Sequence, residues 1–142
     1  MKIRYSPESV IVPTDAVAIL EWAACHIEHV GIHQGRGLFA GPGRTVTLPC
    51  WPRGAIEIAA GKSRITTGRT YDWTRIREAR AEAFRLIAEH LVDGCLDLDN
   101  EADTTQLHHE VLDEWSAVTG RTAADAARAF RAAATHAENH LF

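Results

Sequence analysis

The C-terminal stretch most constrains the fold. Thr122-Ala123-Ala124-Asp125 has the form of a capping box, in which a hydroxyl and a carboxylate satisfy the free N–H groups of a helix start. Beyond it, Ala123, Ala126, Phe130, Ala133, Ala137 and Leu141 recur at helical spacing as a narrow stripe of mostly small side chains. Small side chains let helix axes approach closely, so this helix is expected to pack centrally in a bundle.

Four earlier segments carry helical signals. Val17, Leu20, Ala24, Ile27 and Gly31 share one face of a first helix, with Thr14 as the expected N-cap and glycines 31, 35 and 37 as its stop. Pro52 fits the first position of a short helix that Gly61 ends. Asp72 caps a third, with Trp73, Ile76, Ala83, Ile87 and Leu91 on one face, and Leu107, Val111, Trp115 and Val118 mark a fourth. Gly41-Pro42-Gly43-Arg44 reads as a turn of a small β-hairpin over residues 38–48, and Ile3, Tyr5, Val10 and Val12 suggest a strand or an extended N-terminal arm. The expected fold is mainly α, a compact bundle of about five helices with that hairpin or arm. At 142 residues without a repeat or linker, residues 1–142 read as one domain.

Composition narrows the function classes. No apolar run reaches the roughly 18 residues of a membrane span, and residues 1–5 lack the apolar core of a signal peptide. A cytoplasmic protein with no membrane partner is expected. Cys25, Cys50 and Cys95 are scattered, without a C-x-x-C pair, which argues against a disulfide framework or a zinc ribbon. The net charge of −4 divides unevenly: residues 1–95 hold 12 basic and 10 acidic groups, residues 96–142 hold 3 and 9. Nucleic acid is therefore disfavoured as a partner. The helix-turn-helix reading of residues 115–134 fails too, because an Ala-Ala-Asp-Ala-Ala helix has little with which to read base edges. The acidic stretch 97–103 lacks the glycine and terminal glutamate of a calcium loop, with Ala102 and His108 in those places.

Two groups of residues carry candidate chemistry. Trp22, His26, His29 and His33 follow at steps of 4, 3 and 4, which at about 100° per residue aligns them on one helix face. His at i and i+4 is a metal-ligand spacing, so His26, His29 and His33 are the candidate metal set, although the glutamate of an H-E-x-x-H protease is missing. The alternative is a His/Trp strip that packs under the hairpin or forms a contact between copies. His136 and His140 form a second such pair, read as a solvated helix end. Cys50 precedes the Pro52 helix, where free N–H groups favour a thiolate; its alternative is a small buried residue. Trp51 and Arg53 complete the candidate ligand- or partner-binding set.

The segment Cys50-Trp51-Pro52-Arg53-Gly54-Ala55-Ile56-Glu57-Ile58-Ala59-Ala60 has a C-x-x-x-G-A-x-x-x-A-A form. With Ala18-Ile19-Leu20 through Gly35, and with Trp115 followed by Gly120-Arg121-Thr122, it resembles a family of small helical proteins of actinobacteria and their phages, a domain of unknown function. The chain differs at Ser116-Ala117, where that family often has Asn-Asp. The resemblance implies a helical fold and no particular activity. The leading expectation is a non-enzymatic accessory or regulatory module that binds a protein or a small molecule, with no cofactor assigned. A metal-dependent or Cys/His hydrolase centred on the helix-one histidines and Cys50 is the alternative. An interaction module for a macromolecule should show an exposed apolar patch containing Trp22 or Trp51.

Overall fold

A computed structural model describes Tyr5 and residues 15–61, 73–92 and 104–139. Among these described residues five helices form: α1 (Ala16–Val30), α2 (Pro52–Ala59), α3 (Trp73–Leu91), α4 (Thr104–Ser116) and α5 (Ala123–Asn139). The mainly α expectation holds. The central element is α1, not α5, since α1 packs against α2, α3 and α5. Its sequence explains this, because Ile19, Leu20, Trp22, Ala23, Ala24 and Ile27 are all buried and spread around the helix beyond one stripe. Burying each large aliphatic side chain among them contributes about 1.5–3 kcal/mol.

Asp15, one residue beyond the expected cap, starts α1 by accepting the Ala18 N–H on Oδ1 at 2.8 Å. Gly31 ends it at φ 94°, a left-handed conformation that glycine adopts without Cβ strain. His33 thus lies outside α1, and the expected four-residue Trp/His stripe is shortened by the helix end. The alanine-rich α5 lies along α1 and also touches α3. Its capping box forms as expected: Thr122 Oγ1 accepts from Asp125 N–H and Asp125 Oδ2 accepts from Thr122 N–H, both at 3.0 Å. The Thr122 N–H, followed by the Thr122 hydroxyl, holds the Asp125 carboxyl below its ordinary pKa.

The expected hairpin does not form. Thr45–Thr47 is a single 3-10 turn, and Phe39 bridges to Cys50 instead of to residues 45–48. The reason is that the chain segment after α1 pairs with the entry to α2: Cys50 N–H donates to Gly31 O and His33 N–H to Cys50 O, at 3.1 and 2.9 Å. Ala40 N–H and Trp51 N–H then reach Pro49 O and Leu38 O, both at 2.9 Å. Residues 31–51 are therefore a laced loop on the face of α2. Gly54 permits this approach, since a Cβ there would stand 3.1 Å from Leu38 O and 3.2 Å from Cys50 Cβ. The Cys50/Gly54 spacing thus has a packing cause: two small residues one helical turn apart admit the loop. Apart from Tyr5, the N-terminal arm, with Thr14, lies outside the described residues, as do Asp72, the 97–103 stretch and His140.

Candidate functional site

The laced loop, the start of α2 and the last turn of α4 enclose a cleft of about 260 Å³, lined by Gly35, Gly37, Leu38, Trp51, Arg53 and Asp113. Each wall is fixed by a bond within the chain. The Trp51 indole donates from Nε1 to Gly35 O at 2.8 Å, which sets the ring's orientation. Gln34 donates from Nε2 to Ser116 O and Val118 O at 2.8 and 2.9 Å, fastening the loop to the end of α4. His33 Nε2 donates to Arg36 O at 3.0 Å, and its ring stands where a Gly35 Cβ would go, 2.7 Å away. Beyond Ser116, Arg121 lies over the Trp115 ring at 4.0 Å and donates from Nε to Trp115 O at 3.0 Å.

Arg53 and Asp113 supply the charge. Arg53 Nε lies 3.2 Å from Asp113 Oδ1 and 3.0 Å from Oδ2, with side chains 31% and 34% exposed. Beneath them the buried Glu57 carboxylate pairs with Arg80 of α3. His109 of α4 meets Phe84 edge-on at 4.3 Å between ring centroids and senses Arg80, Arg53, Glu57 and Asp113 together. Burial, followed by the Arg80 and Arg53 charges, pushes the His109 pKa down. His108 is 3% exposed, and burial pushes its pKa down as well. Neither imidazole Nε2 has a hydrogen-bond partner among the described residues. A neutral imidazole suits both positions, since a charged one would be poorly solvated there.

The sequence-chosen residues separate into different settings. Trp22 and His26 are buried and stacked at 4.7 Å, and the Tyr5 hydroxyl sits 2.7 Å from His26 Nδ1. His29 is exposed on α1 with its ring 5.9 Å from Tyr5, and His33 belongs to the cleft loop. Among the described residues no three His, Cys, Asp or Glu side chains are grouped to hold a metal ion. Cys50 is fully buried, and burial pushes its thiol up to about 12. That environment holds a neutral thiol, the opposite of an activated nucleophile. Trp51 and Arg53 do come together in the cleft, joined by Asp113, Leu38, Gly35 and Gly37, which the sequence reading did not select. Sixty residues separate Arg53 from Asp113, and no spacing rule links them.

Ser116, at the position of the departure from Asn-Asp, is buried and donates from Oγ to Leu112 O at 2.7 Å. This satisfies its hydroxyl inside α4. Its backbone carbonyl, not its side chain, meets the cleft loop.

These features define a small helical protein that carries, among its described residues, a tryptophan-walled cleft built on its second and fourth helices. The chain belongs to a family of unknown function (DUF6197), whose model matches residues 12–136. No curated protein and no solved structure matches the chain. No helix among the described residues is long and apolar enough to cross a membrane.

Proposed function

We propose that this protein is a non-enzymatic binding module, an accessory or regulatory protein that acts by holding a ligand in the cleft of Trp51, Arg53 and Asp113. The observation that carries the reading is the cleft's rigid frame: an indole at the N-cap of α2 locked by Nε1, and a guanidinium of α2 held by a carboxylate of α4. Trp and Arg dominate binding energies where they are pre-positioned, because little side-chain freedom is lost on contact.

A small ligand fits better than a macromolecular surface. Trp22 is buried, and the large apolar side chains exposed among the described residues are Val92 and Val118, at 42% and 49%. Two separate valines do not make the apolar patch that a protein partner would use. The cleft's volume sits just below the roughly 300–1,000 Å³ of pockets for drug-sized ligands. The hydrolase alternative gains little support, as its thiol is buried and neutral and its histidines lie in separate settings. Part of the proposal is a cytoplasmic, actinobacterial or phage setting, supported by the free thiols Cys25 and Cys50 and by a composition rich in alanine and arginine.

A thermal-shift screen of small metabolites against the wild type and Trp51→Ala tests this. A true ligand at 100 times its Kd adds about 2.7 kcal/mol. We expect at least one compound that stabilises the wild type and not the variant. Stabilisers indifferent to Trp51, or a hydrolytic turnover abolished by Cys50→Ala, would overturn the proposal.

A further inference from the structure

The ligand class follows from how the cleft holds its two charges. Arg53 meets Asp113 through Nε, and its terminal Nη groups form no hydrogen bond with the described residues. Guanidinium–carboxylate pairs frequently use two parallel N–H bonds. Here the fork end is left over, with its remaining donors beside the cleft. Asp113 has spare capacity too, since a carboxylate offers about four lone-pair sites and a single Nε–H occupies at most part of them. Both side chains are about one-third exposed.

The cleft therefore offers a cation with unused donors and an anion with unused acceptors, side by side. A simple anion would be drawn to Arg53 and repelled by Asp113, and a simple cation would meet the reverse. A ligand that carries a carboxylate and an ammonium on one carbon is attracted by both. Leu38 and the locked Trp51 ring add an apolar wall, and Gly35 and Gly37 complete the lining. The volume of about 260 Å³ limits the ligand to a small one.

We propose that the cleft binds a free α-amino acid, with its carboxylate on the Nη groups of Arg53, its ammonium on Asp113, and an apolar side chain against Leu38 and Trp51. This rests on the cleft being the binding face, and adds the chemistry of what it holds.

The test uses the full chain, ¹⁵N-labelled, titrated separately with each proteinogenic amino acid while the Trp51 Nε1–H and Arg53 Nε–H signals are followed. At least one amino acid with an apolar side chain is expected to shift both signals to saturation. Its N-acetyl and carboxamide derivatives, each lacking one charge, are expected to bind at least about tenfold more weakly. Arg53→Gln and Asp113→Asn should each lose a similar factor with helical content unchanged. If the N-acetyl or amide derivative binds as tightly as the amino acid, the zwitterion inference is overturned while the cleft remains a binding site. If no amino acid moves either signal, the inference is overturned, and the Trp51-dependent screen decides separately whether the cleft binds anything else.

Discussion

The two seams of this bundle are built on opposite principles. Between α1 and α5 the contact is made mostly of alanines with Ile, Leu and Phe, and among the described residues Arg131 links polar groups across its edge, to Glu28 and to the Cys25 sulfur. Between α2, α3 and α4, charge enters the packing: Glu57 with Arg80, His108 and His109 with unbonded Nε2 atoms, and Arg53 with Asp113 at the rim. A seam of alanines gains its stability from close approach and dispersion and has nothing with which to recognise a ligand. The charged seam gives up some of that stability for groups that can. The α1–α5 seam and the candidate site thus draw on different helices, and substitutions should separate them.

The largest effect belongs to the apolar seam. Phe130→Ala empties a fully buried ring position on α5 and is expected to cost about 3–5 kcal/mol in urea unfolding. If the cost were below about 1 kcal/mol, the seam would not be the stabilising half. Next comes Arg80→Ala, which strips a buried carboxylate of its guanidinium. Breaking a buried pair costs about 3–5 kcal/mol, and the part-exposed Arg80 lowers that to about 2–3. Glu57→Gln in the same background should recover part of the loss, because it removes a buried charge that has lost its Arg80 guanidinium.

Gly54→Ala probes where the charged seam meets the loop. Overpacking against Leu38 O and Cys50 Cβ costs about 1–3 kcal/mol, and alanine's better helix propensity returns about 1, leaving a net loss of about 1. The informative measurement is hydrogen exchange at Trp51 N–H and Ala40 N–H, which should quicken as the lacing loosens.

Near neutral pH, acid should act on the charged seam through His108 and His109. Burial depresses the folded pKa of both His108 and His109 from an ordinary value of 6.5. The unfolded chain therefore takes up protons first as pH falls, so this stability is present above about pH 6.5 and lost below it. His108 is faced by Glu89, Arg85 and Glu82, and His109 by Arg80, Arg53, Glu57 and Asp113, so these carboxylates temper the loss. Tm measured from about pH 7.5 to 5.5 should fall, and His108→Gln should flatten the slope. An unchanged slope would show that His108 is not the group responsible.

Much of the helical frame could be read from the chain, because helical periodicity and caps report local geometry. The α5 capping box, the Pro52 start of α2 and its Gly61 stop all follow from near neighbours in sequence. The hairpin expectation failed because Gly41-Pro42-Gly43 specifies a turn but not what its flanks pair with, and Cys50 supplied a better partner. The histidine stripe lost His33 to Gly31, whose positive φ ends α1 first. Trp51 and Arg53 were visible as a pair beside a helix start. Asp113 was not, since only the packing of α4 on α2 brings it to them.

The smallest stability effect should accompany the largest functional one. Arg53 and Asp113 form a part-exposed pair, for which double-mutant cycles give about 0–1 kcal/mol. We therefore expect the cycle of Arg53→Ala, Asp113→Ala and the double variant to show a coupling within that range in unfolding. Each single variant should nonetheless remove ligand-dependent stabilisation, because a ligand reads the two charges together. A coupling of several kcal/mol would mean that the pair is a structural clamp and would move it into the same class as Glu57–Arg80. A weak coupling with binding lost would place the boundary between stability and recognition at the rim of α4, one turn from His109.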